Sequence, residues 1–229
     1  MDIIPAIMPE SLEDMRQKMA YVIDVVNLVQ LDIMDGKFVQ ETTFPFFERD
    51  ALDMEYIMSQ DEALQYWERL DVELDLMVEN AHQNFDMFIA LGPKRIIFHL
   101  EAEGDLNEFK DFLEGIDMYT HENVEIGIAT NNDTSVEALF SFIPLVSFVQ
   151  CMGIARIGYQ GEPFDERVIE RIKILREKFP GLIISVDGAV NINTIKALKE
   201  AGADRLVVGS AIFESGDAEE SIEELESMI

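Results

Sequence analysis

Short apolar runs with the composition of β-strands alternate with longer stretches of helical period along the whole chain. Eight runs read as strands: residues 3–7, 26–32, 72–78, 95–99, 124–129, 145–152, 182–186 and 206–208. Between them apolar residues recur on one face, as with Leu12, Met15 and Met19, with Val168, Ile172 and Leu175, and with Ile222, Leu225 and Ile229. That spacing buries one side of a helix against a sheet. Start and stop signals agree. Asp105-x-x-Glu108 and Asp217-x-x-Glu220 have the form of capping boxes, Asn191 and Asp165 stand where N-caps are wanted, and Gly202 stands at a C-cap. Eight β/α alternations without a Pro/Gly/Ser-rich linker predict an α/β chain with one closed (β/α)8 TIM barrel over residues 1–229, rather than two open sheets. Residues 48–70 exceed a plain loop and helix, which predicts added structure above the barrel mouth.

Composition narrows the classes. The 229 residues fit one large α/β domain, and 48% hydrophobic residues suffice for a sizeable core, which excludes a disordered chain. A formal charge of −29, with no clustered Lys/Arg stripe, repels phosphate backbones and argues against nucleic acid. No apolar run reaches the roughly 18 residues a bilayer crossing needs, so no membrane partner is expected. Met1 leads almost at once into a core strand, which leaves no room for a signal peptide, and the lone Cys151 cannot form an internal disulfide. A soluble cytoplasmic protein is the expectation.

In such a barrel the informative residues close each strand, because they face the active site. Alternation puts Gln30 and Asp32 on one face of the second strand, and Glu73, Asp75 and Met77 on one face of the third; the seventh ends in Asp187-Gly188-Ala189. Asp35-Gly36 reads as an ordinary turn. Asp32 and Asp187 lie at the ends of apolar strands, where an unpaired carboxylate is costly to bury, and they read as functional. Asp75 is open between function and pairing with a backbone donor or an arginine. His99 reads as a hydrogen-bonded structural histidine, His82 and His121 as loop residues, and Cys151 as a buried apolar residue. Met8, Met34, Met77 and Met152 either floor a site or fill core.

Glycines follow the last strands: Gly158 and Gly161 after the sixth, Gly188 and Ala189 after the seventh, Gly209 and Ser210 after the eighth. Loops of this kind present backbone N–H groups to an anion, which lets an acidic protein attract phosphate without a basic surface. Arg156 is a weaker candidate, since a solvated loop arginine is the plainer reading.

The chain resembles the ribulose-phosphate 3-epimerase family over nearly its full length. The resemblance is carried by Ile4-Pro5-Ala6-Ile7-Met8, Leu31-Asp32-Ile33-Met34-Asp35-Gly36-Lys37-Phe38-Val39, Leu76-Met77-Val78-Glu79-Asn80, Phe98-His99-Leu100-Glu101-Ala102, Val186-Asp187-Gly188-Ala189-Val190 and Gly209-Ser210-Ala211-Ile212-Phe213. It implies a ribulose-phosphate-binding barrel that inverts one carbon of a ketopentose phosphate through an enediolate, with a divalent metal held by two His and two Asp. The family's acid/base aspartates fall on Asp32 and Asp187. Its metal-ligand histidines fall on Gln30 and Asp75, a strand-one serine falls on Ala6, and its Pro-Gly-Phe-Gly-Gly-Gln loop reads Arg156-Ile157-Gly158-Tyr159-Gln160-Gly161. Ala6, Met8, Met34, Met77 and Met152 then line the substrate pocket. With oxygen ligands replacing imidazole, a metal at Gln30, Asp32, Asp75 and Asp187 is expected to be Mg or Mn rather than Zn or Fe. The alternatives are a metal-assisted sugar-phosphate aldolase or lyase, which the added Arg156 suits, and a non-catalytic sugar-phosphate binder that has lost its metal with the histidines. The expected partner is a small-molecule sugar phosphate; a homo-oligomer is left open.

Overall fold

The computed structural model describes residues 1–59 and 69–229. Eight strands pair in parallel, each with its sequence neighbour, and the last closes onto the first. They are β1 Asp2–Ile7, β2 Leu28–Met34, β3 Asp71–Met77, β4 Arg95–His99, β5 Glu125–Thr130, β6 Phe148–Met152, β7 Ile183–Asp187 and β8 Arg205–Val208. The predicted TIM barrel is the observed fold. The helices are α1 Leu12–Val22, α2 Ala51–Met58, α3 Phe85–Ile89, α4 Leu106–Gly115, α5 Met118–Asn123, α6 Arg167–Lys178, α7 Ile195–Ala201, α8 Ser210–Phe213 and α9 Ala218–Ser227. None among the described residues is long and apolar enough to cross a membrane.

Helical period translates into burial. α1 buries Leu12, Met15, Met19 and Val22, and α6 buries Val168, Ile172 and Leu175. α9 buries Ile222 and Leu225 and stops before Ile229, which still packs on the core. Asp105 and Asp217 cap α4 and α9, accepting backbone N–H bonds from Glu108 and Glu220. Gly202 ends α7 at φ +109°, a conformation that glycine enters without steric cost.

Several expectations shift. α7 and α6 begin later than Asn191 and Asp165 suggest, with Thr194 and Glu166 as N-caps. Asn191 builds the turn before α7 by accepting from Asn193 N, and Asp165 accepts from Arg167 N. The second strand starts at Leu28, because the backbone N–H of Val26 closes α1 by bonding Val22 O. The sixth starts at Phe148, because Ile143–Leu145, with Pro144 inside it, forms a 3-10 turn. In the 48–70 segment, a 3-10 turn Glu48–Asp50 and α2 follow β2; residues 60–68 lie outside the described ones.

The main core lies between the strands and the helices. Inside the barrel the filling is uneven. Phe148 on β6 is fully buried and spans toward β5, where a Cβ on Gly127 would lie 2.5 Å from the ring's Cζ. Below it Arg95 meets Glu73 at 3.3 Å and Glu125 at 3.2 Å, Arg205 meets Glu125 at 3.0 Å, and the Arg205 guanidinium lies over Phe148 at 4.9 Å. A polar, paired floor thus replaces the branched aliphatic layer that barrels commonly carry. Gly127→Ala is expected to destabilise the fold by about 1–3 kcal/mol through overpacking. The Gly127→Ala/Phe148→Leu double variant should recover part of the loss in denaturant melts. A neutral single variant would show that the ring is not the barrel's filler at this level.

Candidate active site

At the C-terminal end of the barrel, β2, β3 and β7 each turn one carboxylate inward. Asp32 faces Asp75 across the β2/β3 ladder, and Asp187 ends β7. One oxygen from each lies within 4.8 Å of the others. Donors from the barrel wall hold them. Gln30 Nε2 donates to Asp32 Oδ1 at 2.7 Å and to Asp187 Oδ2 at 2.8 Å, so one amide joins strands three steps apart around the ring. His99 Nε2 lies 2.8 Å from Asp75 Oδ1, and Gln150 Nε2 donates to Asp75 Oδ2 at 3.3 Å.

Crowding and burial set the protonation states. Burial, then the Asp75 charge, pushes Asp187 up to about 7. Burial, then the charges of Asp187 and Asp75, holds Asp32 well above the usual carboxylate range. Burial works to lower His99, but the charge and hydrogen bond of Asp75 outweigh it and the net shift is upward. Below, burial takes Glu73 up to about 7 against the pull of Arg95. These are the expected results of gathering like charges away from water.

Above the carboxylates opens a cavity of about 280 Å3. Asp32 and Asp187 line it, with Ala6, Met8, Met77 and Met152 on its walls. Met34 does not line it; it is fully buried in the apolar cluster that holds Met77 and Met152. The structure also brings together Gly158, Gly161, Gly188, Ala189, Gly209 and Ser210 around the same cavity. Gly188 and Ala189 take φ +102° and +54°, turning the chain sharply after β7. Gln160 crosses from the β6 loop to the β8 loop, its Nε2 lying 2.9 Å from where a Cβ on Gly209 would stand.

Among the described residues no Lys or Arg lines the cavity, whereas Glu162 and Glu214 do. Arg156 is exposed, stacks on Tyr159 at 3.8 Å and pairs loosely with Glu162 at 3.9 Å. It is a loop arginine and gives the lyase alternative no support. Asp35 is a turn residue, accepting from Lys37 N and Glu79 N.

Sequence reasoning missed Gln150, Gln160, Asn191, Glu162 and Glu214. Gln150 was accessible from the alternation of β6, since it shares a face with Phe148 and Met152; the loop residues carried no such signal. His99 is hydrogen-bonded as expected, but to a site carboxylate. His82 lies, as expected, in the connection after β3, in a 3-10 turn, but it is buried beside Phe109 and Phe112 and hydrogen-bonded to Glu103, because the aromatic cluster between α3 and α4 folds over it. His121 sits in α5, and Cys151 is fully buried, its thiol pushed up to about 11 by burial.

The sequence model of the ribulose-phosphate 3 epimerase family matches residues 2–213, a span that contains every residue of this site except Glu214. The chain belongs to the ribulose-phosphate 3-epimerase family. Among its relatives in that family, ribulose-phosphate 3-epimerase of Chlamydia muridarum is 32% identical over 193 residues, covering 82% of this chain and 76% of that protein. The Aquifex aeolicus protein of the same name is 28% identical over 207 residues, covering 89% and 85%. In fold, this family member is similar to a crystal structure of 3-hexulose-6-phosphate synthase, with TM-score 0.71, 20% identity and 100% of both chains covered. It is also similar to KGPDC from Streptococcus mutans in complex with D-R5P, with TM-score 0.70, 14% identity and 99% and 96% covered.

The raised carboxyls make stability depend on pH with a definite sign. Asp187 and Glu73 keep their protons in the fold up to about pH 7, whereas the unfolded chain releases them near their ordinary values of 3.8 and 4.5. Unfolding therefore releases protons in that window, and these two groups make stability fall as pH rises from about 4 to 7. In metal-free protein, Asp187→Asn should raise the melting temperature at pH 8 and change it little at pH 4. Equal shifts at both values would place Asp187 at its ordinary ionisation.

Proposed function

We propose that this protein is a sugar-phosphate epimerase that interconverts ketopentose phosphates of the ribulose 5-phosphate and xylulose 5-phosphate type. The observation that carries the reading is the pair Asp32 and Asp187, set on strands three steps apart and both lining the cavity. Inversion beside a carbonyl needs a base on one face of the carbon and an acid on the other. One carboxylate removes the proton to give an enediolate, and the other returns a proton to the opposite face; the roles exchange in the reverse direction. An acid must hold a proton at neutral pH, and burial with mutual repulsion supplies that by pushing Asp187 up to about 7. Without a cation, the Gln30 amide holds both carboxylates with one group, so their spacing is set before a substrate arrives.

Substrate phosphate is assigned to the backbone N–H groups around Gly188, Ala189, Gly209 and Ser210, with Gly158 and Gly161 shaping the loop over it. The absence of lysine and arginine from the described lining supports this, since backbone dipoles are the attraction that remains for an anion. Ala6, Met8, Met77 and Met152 give the sugar carbons an apolar wall, and Met34 supports it from the core.

The donors also fit a hard divalent cation. Three carboxylate oxygens converge, and Gln30 Oε1 is buried without a partner; half a turn of the amide exchanges it with Nε2. Held by Asp32, Asp75, Asp187 and the Gln30 carbonyl, magnesium or manganese supplies, when bound, positive charge for the enediolate oxygens. Asp75 is then a ligand whose own orientation is set by His99 and Gln150.

Asp32→Asn and Asp187→Asn should each lower epimerisation by roughly 10²-fold or more with the fold intact. The assay is solvent-deuterium incorporation into ribulose 5-phosphate, and near-normal turnover in both variants rejects the assignment. Calorimetric titration of chelator-treated protein with Mg²⁺ or Mn²⁺ should show one site, weakened strongly by Asp75→Ala. Binding at pH 6 should release protons, because the cation displaces them from carboxyls that burial keeps protonated. A titration with no heat and activity that survives chelation would remove the metal from the reading.

A further inference from the structure

The turn after β7 holds two consecutive residues in the left-handed region, Gly188 at φ +102° and Ala189 at φ +54°. Glycine enters that region freely; alanine does so at a cost, because its Cβ crowds the backbone. Such strain persists only where the surroundings fix it. Ala189 O accepts from Thr194 Oγ1 at 2.8 Å and from Asn191 Nδ2 at 3.0 Å, which fills both of its lone pairs. Each donor is held in turn. Asn191 N donates to Thr194 Oγ1 at 3.0 Å, and Asn193 N donates to Asn191 Oδ1 at 2.9 Å, which leaves the Asn191 amide only one way round. The preceding carbonyl, Gly188 O, lies against the backbone of Gly153, where a Cβ would stand 2.1 Å from it.

In a trans peptide the N–H points opposite to the C=O of the same plane, and both of these bonds are trans. Thr194 and Gly153, toward which the two carbonyls turn, lie outside the lining of the cavity above the acids, whereas Ala189 and Val190, which carry the two N–H groups, line it. The Val190 side chain packs in the main core, so the main chain is what it offers the cavity. A flipped Ala189 peptide would present a carbonyl oxygen there instead, and an oxygen dipole repels an anion.

We infer that Asn191, Thr194 and Gly153 are positioning residues for the substrate's phosphate: they hold the carbonyls of Ala189 and Gly188 away from the cavity and so aim the N–H groups of Val190 and Ala189 into it. The inference deepens the epimerase reading and rests on it for the phosphate being part of the substrate. The aim matters more here than in a basic site. A lysine follows a displaced phosphate by changing rotamer, but a main-chain N–H cannot, and Glu162 and Glu214 on the same lining oppose an anion that is not gripped directly.

Two measurements on the full chain decide this. In chelator-treated protein titrated with inorganic phosphate, the backbone amide protons of Ala189 and Val190 should move downfield in NMR spectra as they form charge-assisted hydrogen bonds. Amides at 189 and 190 that stay still, whether phosphate moves others or none, overturn the inference. In steady-state kinetics with ribulose 5-phosphate, Thr194→Val should raise KM roughly tenfold with kcat within about twofold, since grip on the phosphate is lost and the acids are untouched. The threonine side chain makes no cap bond to α7, so the helix keeps its start, and Asn191→Ala serves if the valine variant does not fold. Thr194→Ser, which keeps the hydroxyl, should keep the original KM. Ala189→Gly/Thr194→Val should recover part of the loss, because glycine holds the turn without strain. A Thr194→Val variant that loses thermal stability or kcat with KM unchanged overturns the positioning role. Amides that respond to phosphate in a protein that epimerises no ketopentose phosphate retain the aimed N–H groups, and the epimerase reading falls alone.

Discussion

Three carboxylates held within 4.8 Å of one another at the C-terminal end of a barrel are the constraint to which the rest of the site answers. Parallel pairing of β2 with β3 leaves Asp32 and Asp75 no choice but to face the same interior, and barrel closure brings Asp187 to them. Charges so placed repel and lose hydration together. The chain offsets this with two amides and one histidine: Gln30 serves two acids, and Gln150 and His99 serve the third. The residual cost appears as the upward shift of Asp32 and Asp187, which keeps protons on them toward neutral pH, as an acid/base pair needs.

Arginines are used lower down. Arg95 and Arg205 pair with Glu73 and Glu125 at the barrel floor, where Phe148 separates them from part of the interior. An arginine at the mouth would compete with a metal cation for the acids and pair with the base. Keeping guanidinium groups at the floor and amides at the mouth lets one barrel hold both a paired polar base and a set of underneutralised acids. The outer cavity follows the same pattern: no Lys or Arg stands on its lining among the described residues, and Glu162 and Glu214 do. In a molecule of formal charge −29, attraction for an anion has to be local and dipolar.

Alternation and helical period, read from the sequence, determined the eight strands, their order and the barrel, because each element's buried face is a local property repeated along the chain. They also determined which residues close β2, β3 and β7, and therefore the acids, since strand period fixes the inward face once one residue is placed. Gly202, Asp105 and Asp217 were legible for the same reason: caps act within one turn of their own helix. The tertiary structure alone decided what depends on distance across the ring. That Gln30 donates to both Asp32 and Asp187, 157 positions apart, follows from closure and from no local pattern. Likewise His82 became a core residue because a phenylalanine cluster from another helix covers it, and Gln160 came to lie on Gly209 because two loops share one mouth. Sequence sets which way a side chain points from its own strand; only the closed barrel sets what it meets there.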